Sequence, residues 1–231
     1  MKNKVLESIK GGLVVSCQAL AGNPLKKPEY MAVLAQAAEL GGAVAIRANG
    51  VADISAIKEK VTVPIIGINK TEASLEFPYI TPSFEHAKEV ADLGVEIIAL
   101  DATRRPRPDG TDLDELIKRI KEELGVLVMA DIATFEEGVL AAKAGADIVA
   151  TTLSGYTTYS KPTQGPDLEL IKKLKAAIDV PIIAEGRFTS PEHVRAGLDA
   201  GAHAVVIGKA ITNIMFNTGR FIKEAGIKKE D

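Results

Sequence analysis

Tryptophan is absent from this chain, and cysteine occurs once, at Cys17. A single thiol rules out a disulfide within the chain and any metal site built on paired cysteines. Aromatic residues make up 4% of the 231 residues, so the core has to be assembled from Ile, Val, Leu and Ala. Histidine is scarce as well: His86, His193 and His203 fall near predicted helix starts or before a strand, and no two are spaced as metal ligands. Structural roles are expected for all three, and no metal site. No apolar run approaches the roughly 18 residues that a membrane span needs. No charged-then-apolar leader is visible either. The formal net charge is −3 and no large basic block occurs. That balance argues against nucleic acid and anionic membranes as partners. The expectation is a cytoplasmic protein, complete from its first residues.

What the chain does have is an aliphatic pattern repeated eight times. Hydrophobic residues make up 46% and charged residues 26%, an ordinary globular balance. After a short helix over 3–10, stopped by Gly11-Gly12, apolar strands are predicted at 13–18, 43–47, 64–70, 96–101, 127–131, 148–152, 181–185 and 204–208. Amphipathic helices are predicted between them, at 29–40, 51–60, 83–93, 112–124, 134–143, 167–178 and from 190 to Gly201, with a last one over 212–225. Ser83 and Thr134 are suitable N-caps, and Pro191 suits a first helical position. Strands apolar on both faces, alternating with amphipathic helices, argue for a parallel sheet covered by helices. Eight such units in one chain point to a single (β/α)₈ TIM-barrel domain over residues 1–231. The rival, a doubly wound open sheet, lacks the Gly-x-Gly-x-x-Gly turn expected after its first strand.

In this architecture the chemistry sits at the C-terminal strand ends. Those ends carry Gln18, Arg47, Lys70, Asp101, Asp131, Thr152, Glu185 and Gly208. Polar residues can simply mark where a strand leaves the core, but Arg47, Lys70 and Asp131 each close a wholly apolar run. Asp101 can equally brace its own basic loop, where Arg104, Arg105 and Arg107 are expected to be solvated or salt-bridged. Glycine after strands seven and eight, in Glu185-Gly186-Arg187 and Gly208-Lys209, lets backbone N–H groups approach an anion. Cys17 is turned away from Gln18 by strand alternation and has no paired histidine, so a catalytic thiol is not expected. The constellation reads as acid–base, metal-free and phosphate-anchored.

Seven segments carry a resemblance: 15–19 (Val-Ser-Cys-Gln-Ala), 45–50 (Ala-Ile-Arg-Ala-Asn-Gly), 67–70 (Gly-Ile-Asn-Lys), 101–110 (Asp-Ala-Thr, then Arg-Pro-Arg-Pro-Asp-Gly), 129–134 (Met-Ala-Asp-Ile-Ala-Thr), 151–157 (Thr-Thr-Leu-Ser-Gly-Tyr-Thr) and 183–187 (Ile-Ala-Glu-Gly-Arg). In this order they resemble the bacterial N-acetylmannosamine-6-phosphate 2-epimerase family over nearly the whole chain. The resemblance implies a cofactor-independent isomerase of sialic acid catabolism. It would interconvert N-acetyl-D-mannosamine 6-phosphate and N-acetyl-D-glucosamine 6-phosphate. It places the catalytic lysine on Lys70 and the catalytic glutamate on Glu185, with Gln18, Arg47 and Asp131 in support, and it implies a homodimer. Gly186, Arg187, Gly208 and Lys209 are the expected phosphate contacts. The run Gly208-Lys209-Ala210-Ile211-Thr212-Asn213-Ile214 departs from the family pattern, in which a small residue follows the glycine and Arg-Pro follows the threonine. The alternative reading is a phosphosugar-binding barrel with another specificity or without turnover.

Overall fold

The structure is a computed structural model and describes residues 2–227. Helix α1 (Lys2–Ile9) leads into β1 (Leu13–Cys17), α2 (Pro28–Leu40), β2 (Ala45–Asn49), α3 (Val51–Lys58) and β3 (Ile65–Ile68). Then come α4 (Phe84–Ala91), β4 (Ile97–Asp101) and α5 (Leu113–Arg119), which continues as a π-helical turn over Ile120–Leu124. They are followed by β5 (Leu127–Asp131), α6 (Phe135–Lys143), β6 (Ile148–Ala150), α7 (Leu168–Ala177), β7 (Ile182–Glu185), α8 (Pro191–Asp199) and β8 (Ala204–Ile207). Two further helices, α9 (Lys209–Thr212) and α10 (Ile214–Glu224), end the described chain. The eight strands pair in sequence order, all parallel, and β8 closes onto β1. This is the TIM barrel expected from the alternating pattern. Among the described residues, no helix is long and apolar enough to cross a membrane.

Strand alternation sorts the core into two layers. Val14, Ala45, Ile66, Ala99, Met129, Ala150, Ile183 and Val206 fill the barrel interior. Val15, Ile46, Ile65, Ile98, Val128, Val149, Ile182 and Val205 face outward and pack beneath the helices. Val5, Leu6 and Ile9 of α1 join the inner layer, so the leading helix closes the amino-terminal end of the barrel. His203 Nε2 meets the Leu6 carbonyl there at 2.7 Å. The expected caps are present. Ser83 and Ser190 accept the N–H of His86 and His193, and Thr134 forms a capping box with Glu137. Each such cap stabilises its helix by about 1 kcal/mol.

Three boundaries differ from expectation in ways that bear on function. Strand β2 runs on to Asn49, so Arg47 is its middle residue rather than its last. Strand β3 stops at Ile68, and Lys70 lies beyond it in an antiparallel bridge with Ile80. The final helix, expected as one piece over 212–225, is broken at Asn213. That residue is extended and its Oδ1 accepts the N–H of Phe216 at 2.9 Å. Asparagine favours capping over helix continuation because its side chain competes for backbone N–H groups. The break sets off α9 as a short separate helix directly after Gly208.

Candidate active site

The inward alternation that builds the core continues to the C-terminal rim. There it delivers Ser16 and Gln18, Arg47 and Asn49, Lys70, Asp101, Asp131, Thr152, Glu185 and Gly208. Barrel closure places β3 and β7 half a turn apart, so Lys70 and Glu185 enter the mouth from opposite walls.

Arg47 joins three of these strands. Its Nη2 donates to Asp131 Oδ2 at 2.6 Å and its Nη1 to Asp131 Oδ1 at 3.2 Å. The same Nη1 lies 3.1 Å from Glu185 Oε2. Arg47 is 1% exposed and Asp131 0%. Burial works against the guanidinium charge, but the Asp131 and Glu185 carboxylates outweigh it and hold Arg47 firmly protonated. Arg47 Nε, also buried, has no hydrogen-bond partner.

Lys70 Nζ donates to Gln18 Oε1 at 2.7 Å. The Gln18 amide is oriented in turn by Nε2 donating to Ser16 Oγ at 2.7 Å. Burial, reinforced by the Arg47 charge, lowers the Lys70 pKa to about 8, while Glu185 and Asp131 pull it partly back. A neutral amine is therefore accessible near neutral pH. Glu185 is displaced the other way. Burial raises its pKa above the ordinary carboxylate range, and Arg47 offsets only part of that. A base that gives up its proton easily and an acid that keeps its own face each other across one mouth.

Gln18 thus turns its carbonyl to Lys70 and gives its amide N–H to Ser16. Asp101 serves its own loop. It pairs with Arg105 Nη2 at 2.6 Å and accepts from Thr103 Oγ1 at 2.6 Å, while Arg107 donates to the Asp101 carbonyl at 2.7 Å. Those two arginines are salt-bridged or carbonyl-bound and buried. Arg187 sits at φ 61°. Its side chain donates to the carbonyls of Gly165 and Ser154, which turns it toward the β6–α7 loop. Lys209 is exposed at the first position of α9. Gly186 has φ 110°, a conformation that favours glycine. Cys17 is buried and its thiol is pushed up to about 12, so it stays protonated. Among the described residues, no group of His, Cys, Asp or Glu side chains is arranged to hold a metal ion.

Asn49 and Ser16 are not among the residues singled out from the sequence, and Thr152 is there only as a strand end. Thr152 Oγ1 lies 2.6 Å from Asp131 Oδ1 and 3.2 Å from Glu185 Oε2, so one hydroxyl serves two carboxyl groups. Asn49 Oδ1 accepts the Lys70 backbone N–H at 2.9 Å. Ser16 is the hydroxyl behind Gln18. Asn49 and Ser16 each lie two positions from a chosen residue, so strand periodicity held the signal for both.

Residues 31–227 match the family model NanE, "Putative N-acetylmannosamine-6-phosphate epimerase". A protein of Caldanaerobacter subterraneus subsp. tengcongensis named "Putative N-acetylmannosamine-6-phosphate 2-epimerase" is 51% identical over 223 residues, 96% of this chain and 94% of its own length. A protein of the same name from Cutibacterium acnes is 50% identical, covering 95% of this chain and 96% of its own. The solved structure of the N-acetylmannosamine-6-phosphate 2-epimerase from Clostridium perfringens superposes with a TM-score of 0.91 at 46% identity, covering 95% of each chain. The chain therefore belongs to the N-acetylmannosamine-6-phosphate epimerase family.

Proposed function

We propose that this protein interconverts N-acetyl-D-mannosamine 6-phosphate and N-acetyl-D-glucosamine 6-phosphate by moving a proton on and off C2. The observation that carries the reading is the pair of oppositely displaced groups, Lys70 and Glu185, entering one mouth from opposite walls. The C2 proton is acidic only when C1 is an open-chain aldehyde, and its removal leaves an enolate. Neutral Lys70 takes the proton from one face and protonated Glu185 returns one to the other. Each turnover leaves an ammonium and a carboxylate, which is the form needed to run the reaction backwards. A reversible epimerisation requires that symmetry. Arg47, kept charged by Asp131, is the cation available to the developing oxyanion. Asp131 keeps Arg47 in place, and Gln18 holds Lys70.

The phosphate is assigned to the rim between β7 and β8. Gly186, Gly208 and Lys209 line it, and Arg187 shapes the loop beside it. In this fold the loops after strands seven and eight, with a short extra helix, are the common phosphate cradle. Every role in this scheme is filled by a side chain of the chain itself, which supports turnover without metal or nucleotide. A doubly charged sugar phosphate does not cross a bilayer unaided, which supports a cytoplasmic location. A homodimer is supported by α10, where Ile214, Met215, Phe216 and Phe221 are exposed. Contiguous exposed apolar side chains of this kind mark association surfaces.

The test is proton NMR in heavy water with purified protein and no added metal. Deuterium should enter C2 of the amino-sugar phosphate in wild type, and Lys70→Ala should abolish it. Full activity in Lys70→Ala, or strict dependence on a divalent cation, would overturn the mechanism. Binding without exchange in wild type would favour a non-catalytic barrel.

A further inference from the structure

Ser16 stands between the phosphate rim and the base. It points inward from β1, directly beside Arg47 in the strand register, and is 5% exposed. A hydroxyl has one proton to give and can accept from two directions. One acceptor direction of Ser16 Oγ is taken by Gln18 Nε2 at 2.7 Å. No described residue accepts the Ser16 proton, although an unused buried donor is disfavoured. The hydroxyl lies against Gly208: a Cβ built on that glycine would sit 3.4 Å from Ser16 Cβ and 3.6 Å from Ser16 Oγ. The Ser16 carbonyl accepts Thr212 Oγ1 at 3.0 Å, which ties β1 to the far end of α9. The free proton therefore adjoins the place assigned to the phosphate. The other side of the same oxygen leads through Gln18 to Lys70 Nζ at 2.7 Å.

We infer that Ser16 is a phosphate-sensing positioning residue, whose hydroxyl donates to the substrate phosphate and thereby locks the Gln18 amide that holds Lys70. The inference rests on the epimerase reading and extends it. An anion on the β8 rim fixes the Ser16 hydroxyl as a donor outward. Its lone pair is then committed to Gln18 Nε2, and Gln18 must present Oε1 to Lys70. With no anion to accept it, the hydroxyl proton can turn among several directions, and the oxygen holds the Gln18 amide less firmly. Phosphate binding then raises turnover and not only affinity, because binding energy from a non-reacting part of the substrate aligns the base. The other charged groups acting on Lys70 are Arg47 from β2, Asp131 from β5, Glu185 from β7 and Lys209 from α9. None of them contacts Ser16 by hydrogen bond, so a Ser16 effect on Lys70 passes through Gln18.

The experiment compares C2 deuterium exchange on N-acetylmannosamine 6-phosphate with exchange on unphosphorylated N-acetylmannosamine, in wild type, Ser16→Ala and Ser16→Thr. The ratio of kcat between the two sugars should fall about tenfold in Ser16→Ala, the scale of one hydrogen bond to a charged group. It should recover in Ser16→Thr, which keeps the hydroxyl. In Ser16→Ala the base limb of the pH profile should move below about 8, because the ammonium loses a fixed acceptor. Equal losses on both sugars, or a rise in KM alone, would overturn the inference. A wild-type measurement decides independently of whether the variants fold: inorganic phosphite added in trans should accelerate exchange of the unphosphorylated sugar. Its failure to do so, with exchange of the phosphorylated sugar intact, sinks the coupling alone. No exchange of either sugar in wild type sinks the epimerase reading and this inference with it.

Discussion

Arg47 and Asp131 form a two-pronged ion pair, 2.6 Å and 3.2 Å between paired atoms, sealed inside the barrel mouth. They are 84 positions apart in the chain and three strands apart in the barrel. The pair keeps the Arg47 guanidinium protonated inside the mouth, where we propose that the enolate forms.

Breaking that pair is predicted to destabilise the fold. Asp131→Ala leaves a buried guanidinium with Glu185 as its only carboxylate partner. Urea denaturation should show a loss of about 3–5 kcal/mol, whereas replacing both partners together, Arg47→Met with Asp131→Leu, should recover most of it. Neither variant should epimerise. A double variant as unstable as Asp131→Ala would mean that the barrel needs the charges for folding as well as for chemistry.

Removing the Glu185 carboxyl should separate exchange from epimerisation. Glu185→Gln retains Lys70 as a base on one face, so one epimer should still exchange its C2 proton while interconversion falls by about 10²–10⁴-fold. Its exchange rate should rise with pH through a midpoint no higher than about 8, because glutamine can never supply a negative charge that pulls the Lys70 pKa up. A midpoint above 8, or loss of exchange in both epimers, would contradict the assignment of the base.

Lys70 should also be unfavourable for stability. Its pKa is depressed in the folded protein, from 10.5 to about 8, so the unfolded chain binds more protons between those values. Stability should therefore increase as pH rises from about 8 to 10.5, and the full penalty applies below 8. Lys70→Met should be more stable than wild type at pH 7, by up to about 3 kcal/mol, and inactive. A stability gain that did not shrink above pH 10 would show that packing, not proton linkage, was its source.

Gly67 on the outer face of β3 marks a point of close helix approach. A Cβ there would lie 2.4 Å from Val90 Cγ1 of α4. Gly67→Ala should cost about 1–3 kcal/mol, lowering Tm by several degrees, and Val90→Ala should restore part of it. The midpoint of thermal unfolding checks this directly.

Sedimentation velocity should show a dimer, and Phe221→Glu should shift it toward monomer. Phe221 is 68% exposed on α10. A wild-type monomer at micromolar concentration would remove the role given to this helix.

The legible part of this protein was the part encoded by near neighbours in the chain. The aliphatic runs, the caps Ser83 and Thr134, and the glycines that end helices all report on a few consecutive residues, and together they specify eight strand–helix units. Alternation within a strand also separates Cys17 from Gln18, and it places Lys70 and Glu185 at rims. Local pattern is weaker where a polar side chain sits inside a strand: a charge is not expected mid-strand in a core, so the sequence alone places Arg47 at the end of β2. The break at Asn213 is not legible locally because neither proline nor glycine marks it.

Partners were decided only by closure of the barrel. Nothing near Arg47 in the chain indicates that its carboxylates come from β5 and β7, or that Gln18 offers Lys70 an acceptor rather than a donor. Those choices depend on which residues share a level once eight tilted strands close with one register. The displaced pKa values follow from the same closure, because burial and neighbouring charge exist only in the folded mouth. By itself the sequence determined the barrel and the residue types at its rim. The tertiary structure decided which of them face each other, and so which can hold a proton and which can release one.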